Sequence, residues 1–252
     1  MQLFYCETLV VYYHENIYDK YYNNIKTKRE KNMKRTSMLV VGFMILVLFS
    51  TAALAMQTDT AVTGKEAQQK LLDGNKRYVN EKQTHINQTA KRRIEVAKGQ
   101  HPFAVVVCCS DSRVPPEILF DQGLGDLFVI RLAGNILNDE AIGSIEYAVD
   151  HLDVQYIMVL GHERCGAVGA TVQGGEAPGH IGSLVKAIQP AVDKAKSQPG
   201  DVLDNAVRAN VGMVVEQLKS SAPILNEFIK KGVLTVVGAR YDLDDGAVAI
   251  LP

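Results

Sequence analysis

The chain has 252 residues, 47% of them apolar and 22% charged, and a formal net charge of −1. Its first quarter does not read like the rest: with residues 1–55 set aside as a removable leader, 197 residues remain, enough for one domain with a sizeable core, carrying 20 basic against 24 acidic side chains. A surface of that sign excludes nucleic acid and stable association with anionic membrane, and the three cysteines left, Cys108, Cys109 and Cys165, are an odd set rather than a disulfide framework.

Residues 1–32 are rich in Tyr, Asn and Lys, lack an apolar period, and are expected to be disordered or a gene-model extension, with translation starting at Met33. Lys34 and Arg35 then precede a 12-residue apolar run from Met38 to Phe49 and small residues ending in Ala53-Leu54-Ala55. That order is a secretory signal peptide over 33–55; its run is short of the roughly 20 residues a spanning helix needs. Cleavage after Ala55 would deliver residues 56–252 as a periplasmic or secreted domain.

Within that domain Ala67, Leu71, Asn75 and Tyr78 recur at helical spacing, and a shorter helix carries Ala90, Ile94 and Ala97 and stops at Gly99. The two form an amino-terminal helical arm over about 64–99. From about 101 to 252 short apolar runs, Phe103 to Cys108, Leu127 to Ile130, Tyr156 to Leu160 and Val233 to Val237, alternate with helical patterns near 138–151, 166–173, 182–197 and 202–220. Runs of that kind suit strands buried on both faces. The alternation predicts an α/β fold with a largely parallel central sheet flanked by helices. Asp244-Asp245-Gly246 followed by Ala247 to Leu251 adds a carboxyl-terminal antiparallel hairpin strand, and Gly174 to Gly182 reads as a surface loop.

Ligands in such sheets bind beyond the carboxyl ends of the strands. Two of those ends carry nearly all the reactive residues: Cys109-Ser110-Asp111-Ser112-Arg113 after the first strand, and Gly161-His162-Glu163-Arg164-Cys165-Gly166 after the third. If the two strands are neighbours, Cys109, His162 and Cys165 converge. Two thiolates and an imidazole suit zinc, and three protein ligands leave a fourth position open, the catalytic arrangement. Cys165 opens the helix that follows, where exposed N–H groups favour a thiolate. Cys108 points to the opposite face and is assigned to the core. The spacing does not fit a Cys-x5-Arg phosphatase loop, a Cys-x-x-Cys redox pair, a zinc deaminase or a Gly-x-Gly-x-x-Gly nucleotide site.

Cys109-Ser-Asp-Ser-Arg113-Val-Pro, with His162-x-x-Cys165-Gly beginning 53 residues after Cys109, resembles the signature of the β-class carbonic anhydrases. The similarity runs from about Leu71 to the carboxyl end, through Gly74-Asn75, Asp126 to Arg131, Glu146-Tyr147-Ala148 and Tyr241-Asp242-Leu243. The resemblance implies zinc on Cys109, His162 and Cys165, and reversible hydration of CO2 to bicarbonate by a zinc-bound hydroxide. It implies that Asp111 orients this hydroxide while Arg113 holds the carboxylate, with a second, closed form in which Asp111 takes the fourth zinc position. It also implies a homodimer or higher homo-oligomer with active sites at the subunit interface. Gln100 matches a position that hydrogen-bonds substrate oxygen, and Phe128 and Tyr147 resemble residues near the pocket, with ordinary core packing as the alternative for both. Val106 stands where a Trp shapes an inhibitory bicarbonate pocket in part of the family, with Arg131 and Tyr147 at its other positions; the chain has no Trp, so that pocket is expected to be absent. Hydrolysis of carbon disulfide or carbonyl sulfide is the alternative activity. A non-enzymatic zinc-binding protein is disfavoured by the presence of both Asp111 and Arg113.

Overall fold

The computed structural model describes residues 62–252, together with 26–28 and 31, which are helical and exposed. The leader expected over 33–55 lies outside the described residues. No described helix is long and apolar enough to cross a membrane.

Thr63 starts helix α1 (Gly64–Val79): its hydroxyl accepts the Glu66 N–H while the Glu66 carboxylate accepts the Thr63 N–H, a reciprocal cap. Ala67, Leu71 and Asn75 are buried along one face. The helix lies so close to Phe120 that a β-carbon on Gly74 would sit 1.8 Å from the Phe120 carbonyl oxygen. Beside it the Asn75 amide donates to the carbonyls of Leu119 and Gly246 and accepts the Val248 N–H. Gly74-Asn75 is therefore the clasp between the arm and the sheet. Helix α2 (Ala90–Val96), capped by Thr89, buries none of its residues, and Ile94 is 65% exposed. Among the described residues nothing covers Ile94, while Val96 is partly buried near Gly125.

Strands β1 (Ala104–Cys108), β2 (Leu127–Arg131), β3 (Tyr156–His162), β4 (Thr235–Tyr241) and β5 (Val248–Ile250) form one sheet in the order β2-β1-β3-β4-β5, with β5 alone antiparallel to its neighbour. The helices that connect and cover it are α3 (Pro116–Leu119), α4 (Asp139–His151), α5 (Gly166–Gln173), α6 (Ile181–Ala195), α7 (Val202–Ser220) and α8 (Ile224–Lys230). Successive strand side chains go to opposite faces. Val105, Val107, Ile157 and Val159 pack with Ile145, Val149, Val211, Val214 and Leu218; Ala104, Val106, Cys108, Met158 and Leu160 pack with Ala67, Leu71 and Phe120. Each fully buried side chain of the larger kind stabilises the fold by about 1.5–3 kcal/mol.

The α/β architecture, the arm and the final hairpin strand agree with the sequence reading, but the fourth strand is shifted. It runs Thr235–Tyr241 rather than over Val233 to Val237, because the N–H groups of Val233 and Leu234 both turn back to the Phe228 carbonyl and close the end of α8. Gly238 breaks the apolar run yet belongs to the strand, since α7 presses on it; a β-carbon there would lie 2.7 Å from Val211. Helices α3 and α8 were not expected, being too short to show a period. What matters for the site is that β1 and β3 are parallel neighbours, with Cys108 paired to Leu160, so their carboxyl ends open side by side.

Candidate metal centre

Cys109 is the first residue beyond β1, His162 is the last residue of β3, and Cys165 is the cap residue that opens α5. The two sulfurs are 4.0 Å apart, and ligand atoms of all three residues lie within 4.8 Å of one another. Two sulfurs each 2.3 Å from a tetrahedral zinc are about 3.8 Å apart, so the spacing fits that ion. His162 is fully buried. Its Nδ1 lies 2.8 Å from the Glu163 carbonyl, which assigns the proton to Nδ1 and leaves the Nε2 lone pair free. Nε2 has no hydrogen-bond partner, an arrangement that costs roughly 1–3 kcal/mol unless something soft accepts the lone pair. The donor set and the orphaned nitrogen together fit zinc. Val168, Ile188, Val192, Ala206 and Val207 wall the sulfurs with apolar surface.

The thiols are sharply differentiated. Cys109 is held well below the usual thiol range by the hydrogen bond from the Cys165 thiol, against burial, with help from the N–H groups of Gly134 at 3.2 Å and Asp111 at 3.4 Å. Cys165 is pushed up by that same bond with Cys109 and by burial, while N–H groups of Val168 and Ala167 at the start of α5 pull the other way. One proton is thus shared unequally between the pair. Cys108 is pushed up to about 12 by burial, as befits a core residue. The Gly134 N–H reaches Cys109 from a 3-10 turn, Ala133–Asn135, in which Gly134 has φ 68°. A β-carbon there would also lie 2.6 Å from Ile188 Cδ1, so only glycine fits.

Arg113 grips Asp111 with a fork, Nε to Oδ1 at 3.0 Å and Nη2 to Oδ2 at 2.8 Å, and its own N–H adds a third bond at 2.9 Å. That grip holds the Asp111 carboxyl down to about 2. Oδ2 lies 3.8 Å from His162 Nε2, so the ionised carboxylate borders the point on which the ligand atoms converge. Arg131 was read from sequence only as part of a pocket. Its guanidinium instead donates to the main-chain carbonyls of Cys109 at 3.0 Å and Asp111 at 2.6 Å, fixing the loop that carries both. Its signal in the sequence is a single Arg closing an apolar strand. Gly134 and Glu163 were missed as well, because they act through main-chain atoms.

Three expected substrate residues stand elsewhere. Gln100 is exposed and precedes the amino end of β1, whereas Cys109 follows its carboxyl end. Five strand residues span about 17 Å, more than a Gln side chain can cross. Phe128 lies beside Val105, one strand over and four residues before Cys109, and packs against the core. Tyr147 is 48% exposed on α4, its ring edge-on to His151.

The fold and the site together define an α/β protein with a three-ligand, soft metal centre at the carboxyl ends of parallel strands. The sequence pattern of the carbonic anhydrase family matches residues 104–248. "Carbonic anhydrase 2" of Mycobacterium tuberculosis is 40% identical over 184 residues, which cover 71% of this chain and 89% of the relative. Among solved structures, the β-carbonic anhydrase CcaA superposes with a TM-score of 0.60 at 27% identity, covering 73% of this chain and 95% of that one. A tetrameric β-carbonic anhydrase of Sordaria macrospora gives 0.59 at 25% identity, covering 73% and 93%. The chain belongs to the β-class carbonic anhydrases, zinc enzymes that hydrate CO2 reversibly. Hydrolysis of carbon disulfide or carbonyl sulfide is not favoured.

Proposed function

We propose that this chain hydrates CO2 with a zinc ion held by Cys109, His162 and Cys165 and a water oriented by Asp111. The observation that carries the reading is the buried, unpartnered Nε2 of His162 beside two sulfurs 4.0 Å apart. Zinc in that position supplies the Lewis acidity that brings the pKa of water to about 7, a figure general to carbonic anhydrases rather than one obtained for this chain. Asp111, ionised and held by Arg113, offers only acceptor oxygens. A water or hydroxyl beside it must donate its proton to Oδ2 and so turns a lone pair toward the substrate. Arg131 keeps this carboxylate from drifting by holding the main chain on either side of Ser110.

We further infer a homo-oligomer in which Gln100 of one copy serves the metal centre of another. Supporting this are the uncovered apolar residues Ile94, Ile118 and Leu124, the half-buried edge strand β2, and the distance of Gln100 from Cys109 along its own chain. Gln100→Ala and Cys165→Ser should each be nearly inactive alone. After subunit exchange, an equal mixture should regain about a quarter of wild-type activity, because half the dimers are mixed and each holds one intact site. A mixture no more active than the mean of its parents contradicts a shared site. Residues 33–55 are proposed to direct export, and amino-terminal sequencing of exported protein should begin at Met56; a retained, uncleaved chain contradicts this.

A further inference from the structure

Outside the ligand set, a dense group of charged side chains gathers where β4 ends beside β3. Arg240 stands opposite Gly161 in the β3–β4 register and is 13% exposed. Three carboxylates surround it: Asp204 in the first turn of α7 at 2.6 Å, Asp242 at 3.4 Å, and Glu163. Glu163, Asp242 and Asp244 could by type and spacing hold a cation. Arg240 already takes the first two and Arg164 takes Asp244 at 2.7 and 2.9 Å, so each of these carboxylates already has an arginine partner.

Glu163 sits between two of the metal-type ligands. Its carbonyl receives Nδ1 of His162, its N–H donates to the Tyr241 carbonyl, and its carboxylate is held by Arg240 and by the Leu243 N–H. Only Glu163 and Arg164 separate His162 from Cys165, and Arg164 is in the left-handed region with φ 47°. A non-glycine residue keeps such a conformation only where its surroundings over-determine it. The Tyr241 carbonyl and the Leu243 N–H hold Glu163 at the end of β4, and Arg240 ties its carboxylate to Asp204 of α7.

We propose that Arg240 is a positioning residue for the metal centre: through Glu163 it fixes the turn that aims His162 Nε2 and the Cys165 sulfur at one point, and so sets how long metal is held. This rests on reading Cys109, His162 and Cys165 as the ligands. Partners one step removed from a metal typically change its affinity about 10–100-fold.

The test uses the full chain loaded with cobalt(II), whose visible absorption reports ligand geometry, and with zinc, whose release to a chelator is timed. Arg240→Gln is expected to take one metal per chain, shift the cobalt spectrum and release zinc about 10-fold faster, the lower end of that range because Arg240 acts one step further out, through Glu163. Arg240→Lys, a point charge that keeps one carboxylate, should fall between. Arg208→Gln removes a 2.7 Å pair to the same Asp204 without touching the turn and should release zinc at the wild-type rate. Should Arg240→Gln fail to fold, Glu163→Gln, which keeps an acceptor for Leu243, is expected to show the same spectral shift and faster release. A wild-type spectrum and release rate in a folded Arg240→Gln or Glu163→Gln, or lower thermal stability alone, would overturn the proposal. Undiminished zinc in Cys165→Ser would overturn the ligand assignment beneath it, a distinct result.

Discussion

Cys165→Ser is expected to lose nearly all of its zinc and, with it, CO2 hydration. A serine hydroxyl at this position stays protonated near neutrality and is a poor ligand for a soft site. Structural zinc sites with four ligands bind with apparent free energies of about 10–16 kcal/mol, so removing one strong ligand should cost roughly 2.5–4 kcal/mol, or about 10²–10³-fold in affinity. The substitution is well controlled. Cys165 is the cap residue of α5, serine is a favoured cap, and the helix start should survive. Metal analysis by mass spectrometry, with circular dichroism to confirm the fold, reads the result. A folded variant that keeps a full complement of zinc contradicts the ligand assignment.

Asp111→Asn should separate holding the metal from using it. The three soft ligands are untouched, so zinc stays. The orienting group is changed: an amide keeps one acceptor oxygen, and its NH2 confronts Arg113, which now donates three hydrogen bonds to the carboxylate. The hydration rate should fall by about 10–100-fold, the usual cost of losing such a partner. Initial rates at matched zinc content measure it, and equal rates at every pH would show that Asp111 orients nothing.

The sequence was most legible where chemistry and periodicity coincide. The expected convergence of Cys109, His162 and Cys165 is seen, because a parallel sheet brings the carboxyl ends of the adjacent strands β1 and β3 together. Gly74-Asn75 was recognised without its reason: the Asn75 partners lie 44, 171 and 173 residues away, beyond the reach of any local pattern. The same holds for Arg240, whose contact with Glu163 spans 77 residues. Arg131 and Gly134 act on or through main-chain atoms, which no residue pattern encodes. Helix α2 was legible as a short helix carrying Ala90, Ile94 and Ala97, but its exposed Ile94 shows that apolar residues at helical spacing state a need for cover without saying which surface provides it. Gln100 is the sharpest case, since its place in a family motif is plain while its distance from Cys109 in one chain is a property of the folded strand between them.

The most direct measurement is stopped-flow hydration of CO2 by the zinc-loaded protein, followed with a pH indicator. Proton release should run far faster than in buffer, scale with bound zinc, and vanish with Cys165→Ser. A folded protein carrying one zinc per chain on Cys109, His162 and Cys165 that hydrates CO2 no faster than buffer would contradict the assignment of this site to CO2 hydration.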